Sequence, residues 1–106
     1  MTCTRKAGII YMIKSFADKE TEKIYNQQHS KVLPEALHAV ALRKLMMIDA
    51  AKGIDDLKVP PGNRLEKLSG NREGQYSIRI NEKYRICMTA EGEEFLNVEI
   101  VDYHKG

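Results

Sequence analysis

The sequence predicts an α+β fold in which a short N-terminal strand precedes two helices that pack on an antiparallel sheet of about four strands. Three observations lead to this class. The chain has 106 residues, the length of one domain. Apolar residues recur at helical spacing in the first half, whereas they alternate with polar residues in the second half. Clusters of turn-forming residues interrupt that alternation at short intervals, which is typical of an antiparallel meander.

The composition is that of a soluble globular protein, with 42% hydrophobic and 30% charged residues. The chain has no run of about 18 apolar residues, so we expect neither a membrane-spanning helix nor a membrane partner. Cys3 and Cys87 are far apart in sequence, and we interpret them as free thiols in a reducing cytoplasm. The spacing of the cysteines and histidines suits no zinc site, and no metal or other cofactor is predicted.

The first eleven residues show no strong pattern. We expect residues 1–11 to form a poorly ordered extension before a single domain at residues 12–106. Residues 13–16 (IKSF) predict the short strand. Asp18 is placed to cap a first helix that continues to about residue 28, with Phe16 and Ile24 facing the core.

The second helix is predicted from Pro34, which suits a first turn, to about Ala51, with Gly53 ending it. Its apolar residues are spaced for one buried face. That face consists of Leu37, Val40, Ala41, Leu45 and Ile48. The residues expected mostly off this face are Arg43, Lys44 and Asp49.

Residues 64–68 are interpreted as the first strand of the meander, and the strands that follow alternate clearly. The side chains expected to face the core are Tyr76, Ile78, Ile80, Tyr84, Ile86, Met88, Leu96, Val98 and Ile100. Those expected on the other face of the second and third strands are Ser77, Arg79, Arg85 and Cys87. Residues 90–93 (AEGE) predict the hairpin turn before the last strand.

Basic residues cluster in this second half although the net charge of the whole chain is only +2. Arg79 and Arg85 project from the face opposite the core, where two guanidinium groups can bind phosphate, and Arg72 lies in the tight turn 71–74 (NREG). By pattern alone a second interpretation stays open, namely solvated arginines on an exposed face and a plain turn with an ion pair.

The end of the chain carries the residues Asp102, Tyr103 and His104. Histidine transfers protons well near neutral pH, an aspartate two residues earlier on a strand shares its face, and a tyrosine can stack on a base. The alternative is a solvated histidine at a frayed terminus.

A family resemblance runs through these segments in order. Residues 59–68 (VPPGNRLEKL), 70–81 (GNREGQYSIRIN), 84–86 (YRI) and 98–104 (VEIVDYH) are together similar to HigB toxins of the RelE superfamily. The first half, with 13–16 (IKSF) and 18–23 (DKETEK), fits as well, so the resemblance covers about residues 12 to 104. It implies a RelE-like fold and a bacterial type II toxin that cleaves mRNA on the ribosome. It also implies a HigA-like helix-turn-helix antitoxin as partner, with operator DNA contacted only through that antitoxin.

The resemblance implies site residues at matching positions. These are Arg72 and Arg85 as phosphate binders and Asp102, Tyr103 and His104 as the C-terminal catalytic cluster, with His104 as general acid or base. Arg79, Lys83 and Lys67 are expected to guide the RNA backbone. Some related toxins have a histidine before the glycine-containing turn, where this chain has Glu66, Lys67 and Ser69.

Because that histidine is absent, three possibilities stay open: Glu66 is the base, His104 does this work, or catalysis is mostly positioning. A non-catalytic module that binds RNA or the ribosome, or a degenerate toxin, is the alternative function.

Overall fold

The computed structural model describes residues 12–102, in which two helices pack on a four-stranded antiparallel sheet. The α+β prediction is therefore confirmed. The helices are α1 (Lys19–Tyr25) and α2 (Glu35–Ala50), and the strands are β1 (Glu66–Lys67), β2 (Gln75–Arg79), β3 (Tyr84–Glu91) and β4 (Glu94–Asp102), in the sheet order β1-β2-β3-β4. Short 3-10 helices lie in the connections at Ile54–Lys58, Pro61–Asn63 and Gly70–Arg72. The extension predicted for residues 1–11 lies outside the described residues.

The segment before α1 joins the sheet at the free edge of β4. Ile13 and Phe16 form isolated parallel bridges to Phe95 and Val98, so the predicted strand is present only as two bridges. The backbone N–H of Lys14 donates to the carbonyl of Phe95 at 2.8 Å. This pairing covers part of an edge that would otherwise present unpaired backbone groups.

Helix α1 begins as predicted, because the carboxylate of Asp18 accepts the backbone N–H of Thr21 at 2.7 Å. It ends at Tyr25, three residues before the predicted end near residue 28. The backbone at Gln27 has a φ of 62°, a left-handed conformation through which a right-handed helix cannot continue.

Helix α2 covers the sheet with the apolar face predicted from its spacing. Leu37, Ala41, Leu45 and Ile48 are buried, and Val40 is half-buried. The helix starts one residue after Pro34 and ends at Ala50, because Ala51 is already extended. Within residues 12–102, no helix has the length and apolarity needed to cross a membrane.

The prediction that Lys44 and Asp49 lie mostly off the buried face of α2 was wrong. Their exposed fractions are 8% and 9%. The reason is that neighbouring segments close over the flanks of α2 and supply polar partners. A carboxylate oxygen of Asp49 accepts the backbone N–H of Ile13 at 2.9 Å, and the ammonium group of Lys44 donates to the side chain of Asn63.

Strand β4 contains a bulge that the alternation of the sequence does not show. Cys87 pairs with Glu99 whereas Thr89 pairs with Leu96, so β4 has one extra residue in this interval. Within the interval, Asn97 has a φ of 54°. The bulge bends the strand and changes the face on which the preceding side chains lie.

The bulge corrects one predicted core position. Phe95, which the alternation places outward, is fully buried, whereas Leu96 is only half-buried. Val98 and Ile100, which follow the bulge, are buried as predicted.

Candidate active site

The face of the sheet turned away from the apolar core carries several of the predicted RNA-binding residues. The register places Arg79 opposite Arg85, Ser77 opposite Cys87, and Cys87 opposite Glu99. Paired residues in an antiparallel sheet project to the same side. We call this the arginine face and define it by these five residues.

Arg85 is more enclosed than its predicted position on an open face implied, since only 7% of the residue is exposed. Its Nε donates to the Ser77 hydroxyl at 2.8 Å, and its Nη2 donates to the backbone carbonyl of Arg64 and, at 3.3 Å, to that of Ser77. The chain just before β1 therefore closes over the arginine. Several acceptors on different nitrogens fix the orientation of the planar guanidinium group.

Arg72 is held beside the same face by partners on two strands. Its Nη1 donates to the side-chain carbonyl of Gln75 at 3.0 Å and to the carboxylate of Glu99 at 3.2 Å. The side chain of Arg72 is 37% exposed, so this ion pair is partly solvated and contributes at most about 1 kcal/mol to stability. Its main consequence is that Arg72 is oriented while remaining accessible.

The two arginines converge near Cys87, which is a free and fully buried thiol. Burial raises the pKa of this thiol, because the thiolate loses its hydration. The positive charges of Arg72 and Arg85 lower the pKa of Cys87 and so oppose the effect of burial, whereas the negative charge of Glu99 raises it. Both guanidinium groups are thus close enough to one sulfur atom to act on its charge.

This environment predicts an inert thiol. In a Cys3→Ser background, Cys87 should react with a thiol reagent at pH 8 at least about 100-fold more slowly in the folded protein than in denaturant, because modification requires local opening. The rate of absorbance change on thiol labelling measures this. Equal rates in both states would show that the sulfur is accessible and that the arginine face is open at Cys87.

Glu66 lies at the exposed border of this face. Its side chain is 52% exposed, and its carboxylate is 3.8 Å from Nη2 of Arg85, which is too long for a hydrogen bond. Two open depressions meet at Arg72. One of about 490 Å³ is lined by Glu66, Lys67 and Arg72 among others, and one of about 550 Å³ is lined by Arg72 and Gln75 among others. Arg72 lines both, and Glu66 lines the first.

The remaining basic residues make fewer contacts. Nε of Arg79 donates to the backbone carbonyl of Asn81 at 3.1 Å. Lys83 lies in the turn between β2 and β3, with its ammonium group 5.9 Å from the ring centre of Tyr84. Lys67 pairs with Tyr76, so the register directs it to the face opposite Glu66, at the sheet edge.

Of the C-terminal cluster, the structure describes only Asp102. Asp102 pairs with Tyr84, which puts it on the face of Ile86 and Ile100 rather than on the arginine face. Tyr103 and His104 lie outside the described residues, so their roles stay predictions.

Sequence reasoning missed the side chains that orient the two arginines, namely Ser77, Gln75 and Glu99. The first two occupy alternate positions on β2, and Glu99 lies across from Cys87 on β4. The register of the strands was the signal that could have found them, because it brings these positions to one face.

Comparison with known proteins agrees with the family resemblance found in the sequence. Residues 14–104 match a family model described as the RelE-like toxin of type II toxin–antitoxin system HigB. The chain is 41% identical to Toxin HigB-1 of Vibrio cholerae over 76 residues, which is 71% of this chain and 80% of that protein. It is 42% identical to an uncharacterized protein of Haemophilus influenzae over 74 residues, covering 70% of this chain and 72% of the other.

Proposed function

The chain belongs to the HigB-like, RelE-like toxins of type II toxin–antitoxin systems, and from this we propose that it is an endoribonuclease that cleaves mRNA on the ribosome and thereby inhibits translation. The observation that carries the proposal is the oriented Arg85 guanidinium beside the accessible Arg72 and the exposed carboxylate of Glu66. Two cations can stabilise the charge that develops on a phosphate, and a base beside them can take the proton of the 2′-hydroxyl.

The proposed reaction uses the 2′-hydroxyl of the substrate as nucleophile. A base removes its proton, the 2′-oxygen attacks the adjacent phosphorus, the bond to the 5′-oxygen breaks, and an acid protonates that leaving oxygen. The products are a 2′,3′-cyclic phosphate and a 5′-hydroxyl. Because the nucleophile belongs to the substrate, this chemistry does not need a metal ion to activate water.

Arg85 and Arg72 are proposed to bind the phosphate and to stabilise the charge that develops on it. Preorganised donors are effective here because they need not reorient during the reaction. Arg79, Lys83 and Lys67 would guide the RNA backbone, and Tyr103 would stack on a base beside the cleaved bond.

The base is proposed to be Glu66 or His104. The position of Glu66 supports the first assignment, since its carboxylate is near Arg85 without being hydrogen-bonded to it. His104 would then be the acid, and Asp102 would support it.

Membership of a toxin–antitoxin family implies an antitoxin partner. We propose that it is a HigA-like protein with a helix-turn-helix, that any contact with operator DNA is made through it, and that the toxin acts on ribosomes in the cytoplasm.

Mapping of RNA 5′ ends after induction, with and without the neighbouring antitoxin gene, tests the proposal. We expect cuts in translated mRNA at a fixed phase within codons, suppressed by the antitoxin, and upstream fragments ending in a cyclic phosphate or a 3′-phosphate. Fragments ending in a 3′-hydroxyl would contradict attack by the 2′-hydroxyl. Growth arrest without any cuts would indicate the non-catalytic binding module instead.

A further inference from the structure

A buried polar pair between α2 and the loop that precedes β1 has no part in the chemistry proposed above. Asn63 is fully buried, and its side-chain carbonyl accepts a hydrogen bond from the ammonium group of Lys44. Its side-chain amide nitrogen donates to the backbone carbonyl of Leu57 at 3.1 Å. One side chain therefore ties α2 to both 3-10 helices of the loop, Ile54–Lys58 and Pro61–Asn63.

The next residue in the chain is Arg64, whose backbone reaches the arginine face. Its φ is 47° and its ψ is 57°, a left-handed conformation that costs a residue with a side chain about 1 kcal/mol or more. Such a conformation persists when the surrounding contacts determine it. In this conformation the carbonyl of Arg64 accepts a hydrogen bond from Nη2 of Arg85.

We propose that Lys44 and Asn63 are positioning residues, which hold the Arg64 carbonyl against Arg85 and so keep the guanidinium of Arg85 aimed at the bound phosphate. The proposal rests on the proposed function only for what Arg85 does to RNA. The alignment of Arg85 by these two residues is a property of the free protein.

Several contacts indicate that Lys44 and Asn63 act on Arg85 through specific hydrogen bonds rather than through general packing. The Arg64 carbonyl and the Ser77 hydroxyl bind different nitrogens of Arg85, so together they limit the rotation of the guanidinium plane. Lys44 is only 8% exposed, and this burial lowers its pKa, with the charge of Arg43 adding to the effect. Hydrogen bonds are stronger in buried surroundings.

The test compares Lys44→Met and Asn63→Ala with a matched control, Asp49→Asn. Asp49 is a buried polar residue of the same helix, but it binds the N–H of Ile13 and the hydroxyl of Tyr25 instead of the loop. Lys44→Met keeps an apolar chain of similar length and leaves no unpaired buried charge, so it should fold even if Asn63→Ala does not. The readouts are the melting temperature, the nitrogen-15 spectrum of the Arg85 guanidinium N–H groups, and cleavage of mRNA in a translation reaction.

We expect the Arg85 Nη2–H signal to shift and its exchange with water to accelerate about tenfold in both variants, because Nη2 is the nitrogen that binds the Arg64 carbonyl. Asp49→Asn should leave that signal unchanged, even though it lowers the melting temperature by as much as the two test variants or more. An unchanged Arg85 signal in Lys44→Met, or an equal change in the Asp49→Asn control, would overturn the proposal. The spectrum requires no RNA cleavage, so failure of the proposed function would appear separately, as an inactive wild-type protein with an ordered Arg85.

Discussion

Replacing Arg85 by alanine is expected to reduce mRNA cleavage by about 100-fold or more, the usual effect of removing one preorganised donor to a developing negative charge. Arg85 is 7% exposed and is oriented by the Ser77 hydroxyl and the Arg64 carbonyl. Cleavage of a reporter mRNA by purified protein in a translation reaction measures the effect, and growth arrest on induction reports it in cells.

Two further variants separate charge from geometry and from folding. Arg85→Lys keeps the charge but lacks the planar group that binds two acceptors, so its activity should stay close to that of the alanine variant. Arg43→Ala removes an exposed arginine of α2 and should leave cleavage unchanged. If Arg85→Ala keeps its secondary structure and cleaves as fast as the wild type, Arg85 is not a phosphate ligand.

The parts of the fold that the sequence predicted are those determined by local chemistry. Asp18 caps α1 because its side chain reaches an N–H only three residues ahead. The alternation of Ile78 and Ile86 with polar residues determined which face of β2 and β3 is buried, and both are fully buried. Such signals need only a few adjacent residues, so a sequence reveals them directly.

The errors concern residues whose surroundings are distant in sequence. Lys44 is buried where it hydrogen-bonds to Asn63, which is 19 positions later in the sequence. Asp49 is buried where it hydrogen-bonds to Ile13, which is 36 positions earlier. Their polarity placed them outside the core, which is the usual location for a charged residue without partners. Only the tertiary structure supplies the partners that make burial tolerable.

The candidate site likewise has a part that the sequence predicts and a part that only the tertiary structure determines. Arg72 and Arg85 could be selected from sequence, because their residue type suits phosphate and a family resemblance covers their segments. The orientation of these two arginines could not be predicted from the sequence. Arg85 is oriented by the carbonyl of Arg64, 21 positions away, and Arg72 is oriented by Glu99, 27 positions away. A backbone carbonyl has no signature in the sequence.

Phe95→Ala is expected to lower the free energy of unfolding by about 3–5 kcal/mol, the range for truncating a buried aromatic side chain. Phe95 is fully buried, and its backbone also pairs with the segment before α1. A domain of this size has a total stability of about 5–15 kcal/mol, so the loss is a large share of it. Urea unfolding followed by circular dichroism measures it, and the melting temperature should fall by roughly 15 °C or more.

The neighbouring residue is the matched control and makes this a test of the bulge in β4. Leu96→Ala removes an apolar side chain that is only half-buried, so the loss should stay below about 1.5 kcal/mol. Without the bulge, the regular alternation that buries Val98 and Ile100 would bury Leu96 and expose Phe95. A larger loss for Leu96→Ala than for Phe95→Ala would therefore contradict the register of β4.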